Sequence, residues 1–238
     1  IGMQCGGSDG LSGITANPLL GIVSDLIINQ GGTTIFSENT ECMDAEKFLI
    51  SRCRNYHIAN KLKSEFDWYR SYLEKNNVDR SANITPGNKS GGLSTISEKA
   101  LGSISKSGSQ LIEDVISPGE RTKRMGLNFL SGPASDFICG TLQLAAGANI
   151  HIFTTGRGTP YSIDGFPVIK VSSNSNIYKK WFDIIDYDAG KLIYEQELNK
   201  VALDLFTFII KVASGEKTCA EKLNISNGIV LFNPAPIT

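Results

Sequence analysis

The chain alternates short apolar runs, rich in β-branched and aromatic residues, with longer segments of helical periodicity. Strands are predicted at residues 33–37 and 126–130, and twice within residues 149–170. Because parallel strands need long, usually helical crossovers, this alternation predicts an α/β fold. The fold is expected to be a single domain with Rossmann-like layering, in which a mostly parallel sheet has helices on both faces. Helices are predicted at residues 17–27, 45–75 (one long helix or two consecutive ones), 96–104, 134–146 and 198–213.

Composition argues against several classes of partner. The 238 residues are 41% hydrophobic and 20% charged, with a formal net charge of -1, which is typical of a soluble folded domain. The basic residues are dispersed, so no nucleic-acid partner is expected. The sequence has no apolar run of about 18 residues, the length that a membrane-spanning helix needs, so no membrane span is expected. Five cysteines without a C-x-x-C pair indicate neither a disulfide framework nor a structural zinc site, so we expect a cytoplasmic protein.

The chain begins at Ile1 and enters a glycine-rich, polar segment without an apolar leader. We therefore expect a segment of a longer protein, with part of the active site outside this sequence. Such a segment alone is expected to show little or no turnover.

The segment at residues 149–170 has the features of an anion site. A β-branched strand leads into Thr155-Gly-Arg157-Gly, and a second short strand carries Lys170. Glycines let backbone N–H groups approach an oxyanion, and arginine offers a planar fork that matches a carboxylate. The alternatives are a tight turn with a solvated arginine and a lysine on the strand surface.

In parallel sheets, ligands bind beyond the carboxyl ends of the strands. Glu38, the Gly132-Pro133 turn and residues 154–158 would all lie at that edge. We therefore expect these three loops to converge on one site.

Four turn-rich segments with ionisable residues beside glycine resemble, in this order, the C-terminal region of the galactarate and altronate dehydratase family. They are residues 4–9, 37–38, 86–89 and 155–158. The resemblance is closer to the galactarate branch and covers nearly the whole chain. It continues through residues 15–18, 79–83, 91–93, 98–99, 140–147, 168–170 and 231–236.

The resemblance implies a metal-dependent hydro-lyase, using Fe2+, that removes water from a hexarate such as galactarate to give 5-dehydro-4-deoxy-D-glucarate. It also implies additional N-terminal domains of the same polypeptide, and a homo-oligomer is possible. Dehydrating a 2,3-dihydroxy acid requires a base for the α-proton, an acid for the β-hydroxyl and positive charge at the carboxylate.

Three residues are candidates for proton transfer. Lys89 precedes a helix, where it could act as a base or bind a carboxylate, unless it is an exposed loop lysine. Glu38 ends a strand and Asp9 lies in a glycine-rich loop, and either is a candidate acid, metal ligand or structural partner of Arg157. The predicted substrate contacts are Arg157, Lys170, Asn17, Asn88 and Thr155.

Cys5, followed by two glycines, is the predicted metal ligand, because a thiolate is a reasonable donor to iron. The alternative is a small buried thiol. A three-histidine site is excluded within this chain, because its only histidines are His57 and His151, and His151 is expected in the core.

Two other functions compete with the hydro-lyase. The same arginine and lysines would serve a non-catalytic sugar-acid-binding module, and a related sugar acid such as altronate would suit the same loops. A nucleotide-binding domain is disfavoured, because neither G-x-G-x-x-G after the first strand nor G-x-x-x-x-G-K-[ST] is found.

Overall fold

A computed structural model describes residues 1–194 and 197–230. Within these ranges seven strands form one sheet in the order β3-β4-β2-β1-β5-β6-β7, and every pairing is parallel. The predicted α/β fold with a parallel sheet is therefore confirmed. The strands are β1 (Gly2–Cys5), β2 (Thr33–Phe36), β3 (Ile112–Ile116), β4 (Gly126–Leu130), β5 (His151–Thr155), β6 (Val168–Ser172) and β7 (Tyr187–Asp188).

Ten α-helices lie in the described parts of the chain, together with three short 3-10 segments. The segment at residues 45–75, predicted as one long helix or two consecutive ones, forms two helices, α3 (Glu46–Ile50) and α4 (Tyr56–Lys75), and the turn-rich segment at residues 86–89 lies within the short α5 (Pro86–Ser90). The helices are α1 (Ala16–Asn29), α2 (Asn39–Cys42), α3 (Glu46–Ile50), α4 (Tyr56–Lys75), α5 (Pro86–Ser90), α6 (Ile96–Ser105), α7 (Asp136–Ala145), α8 (Ser175–Lys180), α9 (Leu198–Ala213) and α10 (Cys219–Lys222).

Both faces of the sheet are covered, as predicted. Met3, Phe36 and Ile152 pack into a core formed with α1, α4 and α9. Ile35 and Phe153, which point to the opposite face, pack into a second core formed with α7. Apolar side chains therefore hold helices against both faces of the sheet, and the loops at its edges remain open to a ligand.

Three strands were not predicted. The sequence indicates a glycine-rich loop from residue 4 to residue 13, but Gly2–Cys5 forms β1 at the centre of the sheet. Its Gly-Met-Gln-Cys sequence has no β-branched residue, and hydrogen bonding to β2 and β5 on either side overrides this weak local preference. Edge strand β3 carries two acidic residues, and β7 has only two residues.

The chain changes direction across the sheet at β1. From β1 it passes through α1 to β2 on one side, and after β4 it passes through α7 to β5 on the other side. The loops that leave β1 and its neighbours therefore diverge and leave a crevice at the carboxyl edge, which is where ligands bind in open α/β sheets.

Two predicted segments lie at the end of the chain. A short apolar run in the sequence, residues 229–232, begins with two residues outside any helix or strand. Its remainder and the family-like segment at residues 231–236 lie outside the described residues. Over the ranges that the structure describes, none of the helices is both long and apolar enough to cross a bilayer.

Candidate active site

A buried cluster of one thiol and two carboxylates lies at the carboxyl edge of the central strands. Cys5 ends β1, Glu38 follows β2, and Glu41 lies on α2. Each offers a donor atom within 4.8 Å of the other two. Glu38 adopts a left-handed backbone conformation with φ of 80°, which is unfavourable for a residue with a Cβ and turns the chain sharply from β2 into α2.

Two lysines neutralise these carboxylates. Lys106 Nζ lies 2.7 Å from Glu38 Oε2 and 3.1 Å from Cys5 Sγ, and all three side chains are buried. Lys99 Nζ lies 2.7 Å from Glu41 Oε1. Since the two ammonium groups balance the two carboxylates, the cluster has little net charge despite its burial.

Burial sets the proton affinities of the cluster. It raises the pKa of Glu38 to about 7, even though Lys106 acts in the opposite direction. It also raises the pKa of Cys5 to about 12, so the thiol is protonated at neutral pH. Burial alone would raise the pKa of Glu41, but Lys99 and Lys106 reverse this and lower it. Glu41 is therefore the more acidic of the two carboxyl groups.

A cavity of about 220 Å³ opens beside the cluster. Its wall combines the thiol and Glu41 with an acid at the start of α7, a lysine from α6 and an arginine from the loop after β5. The lining residues include Cys5, Glu41, Asn88, Lys99, Asp136 and Arg157.

Asp136 and Arg157 are the two charged groups of this cavity without a strong partner. The carboxylate of Asp136 accepts one long hydrogen bond, of 3.5 Å, from Gln4. Burial and the nearby charge of Glu41 raise the pKa of Asp136 to about 7. No hydrogen bond or ion pair of the Arg157 guanidinium occurs within residues 1–194 and 197–230. The guanidinium lies so close to Gly87 on α5 that a side chain there would collide with it. The cavity thus offers a free cation and an acid that exchanges its proton near neutral pH.

The cluster has suitable donors for the expected ferrous ion. Two carboxylates, together with a thiol that loses its proton when it binds, are ligand types that divalent transition metals accept. Glu38 Oε1 is buried and has no hydrogen-bond partner in the described portion of the chain, as expected for an atom that serves an absent ligand. Because Lys106 already contacts Glu38 and Cys5, a metal ion would share these donors with an ammonium group.

The structure brings four of the predicted site residues to this region. Cys5 and Glu38 belong to the cluster, and Arg157 and Asn88 line the cavity. Asn88 also fixes the local backbone, because its Nδ2 donates to Ser8 O at 2.8 Å and its Oδ1 accepts from Thr85 N at 3.0 Å.

Three other predicted residues hold the loops together and do not line the cavity. Asp9 accepts four hydrogen bonds, including one of 2.7 Å from Ser173 Oγ and one of 3.3 Å from Asn174 Nδ2. Asn17 Oδ1 accepts from the Thr154 hydroxyl at 2.6 Å, and Thr155 Oγ1 accepts from Gly158 N at 3.1 Å.

The two remaining lysines lie elsewhere. Lys170 is buried, so the alternative of a surface strand lysine is wrong, and its Nζ donates to Tyr161 O at 3.1 Å. Lys170 is in the middle of β6 and does not line the cavity that contains Arg157. Lys89 is exposed on α5, also outside the cavity wall.

The sequence analysis missed Glu41, Lys99, Lys106 and Asp136 as site residues. One signal was available: Lys99, Ser103 and Lys106 follow one another at intervals of four and three residues, so they share one helix face. Ser103 Oγ accepts from Lys106 Nζ at 2.7 Å. His151, by contrast, is a core residue, as expected. Its ring stacks on Phe166, and burial lowers its pKa to about 3.

Comparison with known proteins identifies the family. The family model for the C-terminal region of D-galactarate/altronate dehydratases matches residues 1–237. Galactarate dehydratase (L-threo-forming) of Escherichia coli K12 is 48% identical over 240 residues, which cover all of this chain and 46% of that protein. Altronate dehydratase of the same strain is 41% identical, covering 93% of this chain and 45% of that protein.

A more distant relative bears the name of a different enzyme. The (2R)-sulfolactate sulfo-lyase subunit beta of Chromohalobacter salexigens is 32% identical over 227 residues, which cover 94% of this chain and 58% of that subunit. The chain spans about half the length of the curated dehydratases that it matches. The match over 237 residues shows that the chain belongs to the D-galactarate/altronate dehydratase family and corresponds to its C-terminal region.

Proposed function

We propose that this chain carries the active-site region of a sugar-acid hydro-lyase. The substrate would be a hexarate such as galactarate, and the product 5-dehydro-4-deoxy-D-glucarate. One observation supports this most strongly: a single cavity combines an unpaired arginine, an acid with a pKa near neutrality and a thiol–carboxylate cluster. These groups match what the elimination needs, namely a carboxylate anchor, a proton-transfer group and stabilisation of negative charge.

Arg157 would bind a carboxylate of the diacid. Its guanidinium has no carboxylate within 4 Å among the described residues, so substrate would not have to displace an ion pair. A planar fork can hold a carboxylate through two parallel hydrogen bonds, which fixes the orientation of the neighbouring C–H bond.

Asp136 would move the proton. A group with a pKa of about 7 is present in both protonation states at neutral pH, so it can accept the α-proton or protonate the departing hydroxyl. Lys106 is fully buried beside Cys5 and Glu38, and we assign it the role of fixing these two side chains in place.

We also propose Fe2+ as the cofactor, with Cys5, Glu38 and Glu41 as its protein ligands. When bound, the ion would supply positive charge for the enediolate that forms when the α-proton leaves. Lys99 would keep Glu41 ionised whether or not the ion is bound, because the Lys99 ammonium lowers the pKa of the Glu41 carboxyl group.

The experiment is a turnover assay on the full natural protein that contains this sequence, under anaerobic conditions with ferrous iron. Galactarate should yield a 2-keto acid, and Arg157→Lys should reduce transition-state binding by about 2 kcal/mol, because lysine lacks the fork. The matched control is Arg124→Lys, which changes an exposed arginine outside the cavity and should leave the rate unchanged. Residues 1–238 alone should show little or no turnover.

Altronate belongs in the same assay, since the family includes altronate dehydratases. Keto acid from altronate but not from galactarate would change the substrate and leave the reaction class intact. If no tested sugar acid gives a keto acid, the hydro-lyase proposal is wrong. Diacid binding without turnover would favour the non-catalytic sugar-acid-binding module.

A further inference from the structure

The wall of the cavity contains an unused hydrogen-bond donor. Asn83 ends a 3-10 segment, Arg80–Asn83, and lines the same cavity as Asp136 and Arg157. Its side chain is 8% exposed. Its Nδ2 is shielded from solvent and has no hydrogen-bond partner in residues 1–194 and 197–230. Buried amide groups almost always have a partner, so a ligand in this cavity is the natural candidate.

Lys99 determines which way this amide faces. Its Nζ lies 2.9 Å from Asn83 Oδ1 and 2.8 Å from the backbone oxygen of Asn83. An ammonium group can only donate hydrogen bonds, so the atom facing it must be the amide oxygen. The usual ambiguity between the oxygen and nitrogen of an asparagine is therefore removed, and the NH2 group is the one left without a partner.

Lys99 itself is fully engaged. Its three donors are used by Glu41 Oε1 at 2.7 Å and by the two oxygen atoms of Asn83. It has no further proton to offer a ligand in this arrangement. Among the side chains that the structure describes on this part of the wall, the unpaired donors are therefore the Asn83 amide and the Arg157 guanidinium.

We infer that the Asn83 side-chain amide donates a hydrogen bond to an oxygen of a bound hydroxycarboxylate, and that Lys99 is the positioning residue that orients it. This inference rests on the proposed function only for the class of ligand. Arg157 supplies charge and Asn83 supplies a neutral, directed hydrogen bond, so a 2,3-dihydroxy acid is held through two kinds of contact. A carboxylate in place of the amide would repel the same ligand.

The decisive variant is Asn83→Asp. It exchanges Nδ2 for an oxygen at nearly constant shape and keeps the oxygen that accepts from Lys99. The variant is therefore expected to fold. Calorimetric titration of the full natural protein with meso-tartrate, a 2,3-dihydroxy diacid, should show binding that weakens at least tenfold in Asn83→Asp. The matched control is Asn199→Asp, an exposed change on α9, which should bind as the wild type does.

A second measurement does not depend on the variant. In the wild-type protein labelled with 15N-asparagine, meso-tartrate should shift the Asn83 side-chain amide proton downfield. Equal affinity of Asn83→Asp and the wild type, an unmoved amide resonance, or no binding of meso-tartrate would each overturn the inference. Asn83-dependent binding in a protein that dehydrates no sugar acid would uphold the inference while refuting the proposed function.

Discussion

The site depends on a few residues in energetically expensive states. Glu38 holds a left-handed backbone conformation, which costs about 1–3 kcal/mol, and forms a fully buried ion pair with Lys106. Asp136 is desolvated and no lysine or arginine forms an ion pair with it among the described residues, so its pKa is raised to about 7. Such costs are typical of functional sites, because a sequence selected for stability alone would replace these groups with apolar ones.

The raised pKa of Asp136 predicts a specific pH dependence of stability. Between the pKa of the unfolded chain, near 3.8, and about 7, the folded protein binds more protons than the unfolded one. The contribution of Asp136 to the free energy of unfolding must therefore fall as pH rises through this window. In Asp136→Asn this loss should be absent, so the variant should become progressively more stable than the wild type from pH 4 to pH 7.

Denaturant unfolding of metal-free protein at several pH values measures this difference. The control is Asp183→Asn, which alters an exposed carboxylate outside the cavity. Parallel pH profiles for the wild type and Asp136→Asn would contradict the assignment of a raised pKa to Asp136.

Helix α6 is the element that organises the charged cluster. Thr95 caps its first turn by accepting a hydrogen bond from Glu98 N at 3.1 Å. Lys99 and Ser103 then face the site, and Lys106 follows directly after the last turn. This end of α6 packs so tightly on α1 that only glycine fits at residue 21, beside the backbone oxygen of Ser105. The position of Lys106 therefore depends on the contact between α1 and α6.

Gly21→Ala tests this contact. Alanine favours a helix by about 1 kcal/mol over glycine, but here its methyl group would collide with a backbone oxygen that cannot turn away. We expect the collision to dominate and to lower the free energy of unfolding by about 2 kcal/mol. Ser71→Ala on the exposed side of α4 is the control, and it should change stability by only a few tenths of a kcal/mol. A more stable Gly21→Ala protein, measured by denaturant unfolding, would show that the helices can separate at low cost.

At the scale of the whole molecule, the cluster links distant parts of the chain. Cys5 comes from β1, Glu38 and Glu41 from the β2–α2 turn, and the two lysines from the region of α6. These groups meet only after the central strands have paired and α6 has docked. Any ion bound by them would therefore stabilise the folded state over the unfolded chain.

We accordingly predict that divalent cobalt, as a spectroscopic substitute for ferrous iron, raises the melting temperature. At a concentration 100 times its Kd the stabilisation should be about 2.7 kcal/mol, and a thiolate-to-cobalt charge-transfer band should appear. Cys5→Ser should lose the band and most of the shift. Cys53→Ser, which alters a thiol outside the cluster, should keep both. An equal rise in melting temperature in Cys5→Ser and Cys53→Ser would show that the metal binds outside this cluster.

The sequence by itself determined the parallel α/β architecture and several positions of the site. Strand and helix periodicities are local properties, and so are the glycines that follow Cys5 and flank Arg157. The family-like segments were also readable, because they are contiguous in sequence. Glu38 could be placed at the carboxyl edge for the same reason, as it directly follows a predicted strand.

Only the tertiary structure decided which polar groups converge. Lys106 and Lys99 have the local sequence of surface lysines, yet packing of α6 against α1 and α2 buries them beside carboxylates about 60 residues away. Lys170 has the local sequence of a site residue, but it lies in the middle of β6, where its side chain is buried and donates to the backbone of Tyr161. The physical reason is that burial and pairing depend on strand order and helix docking, which no local pattern encodes.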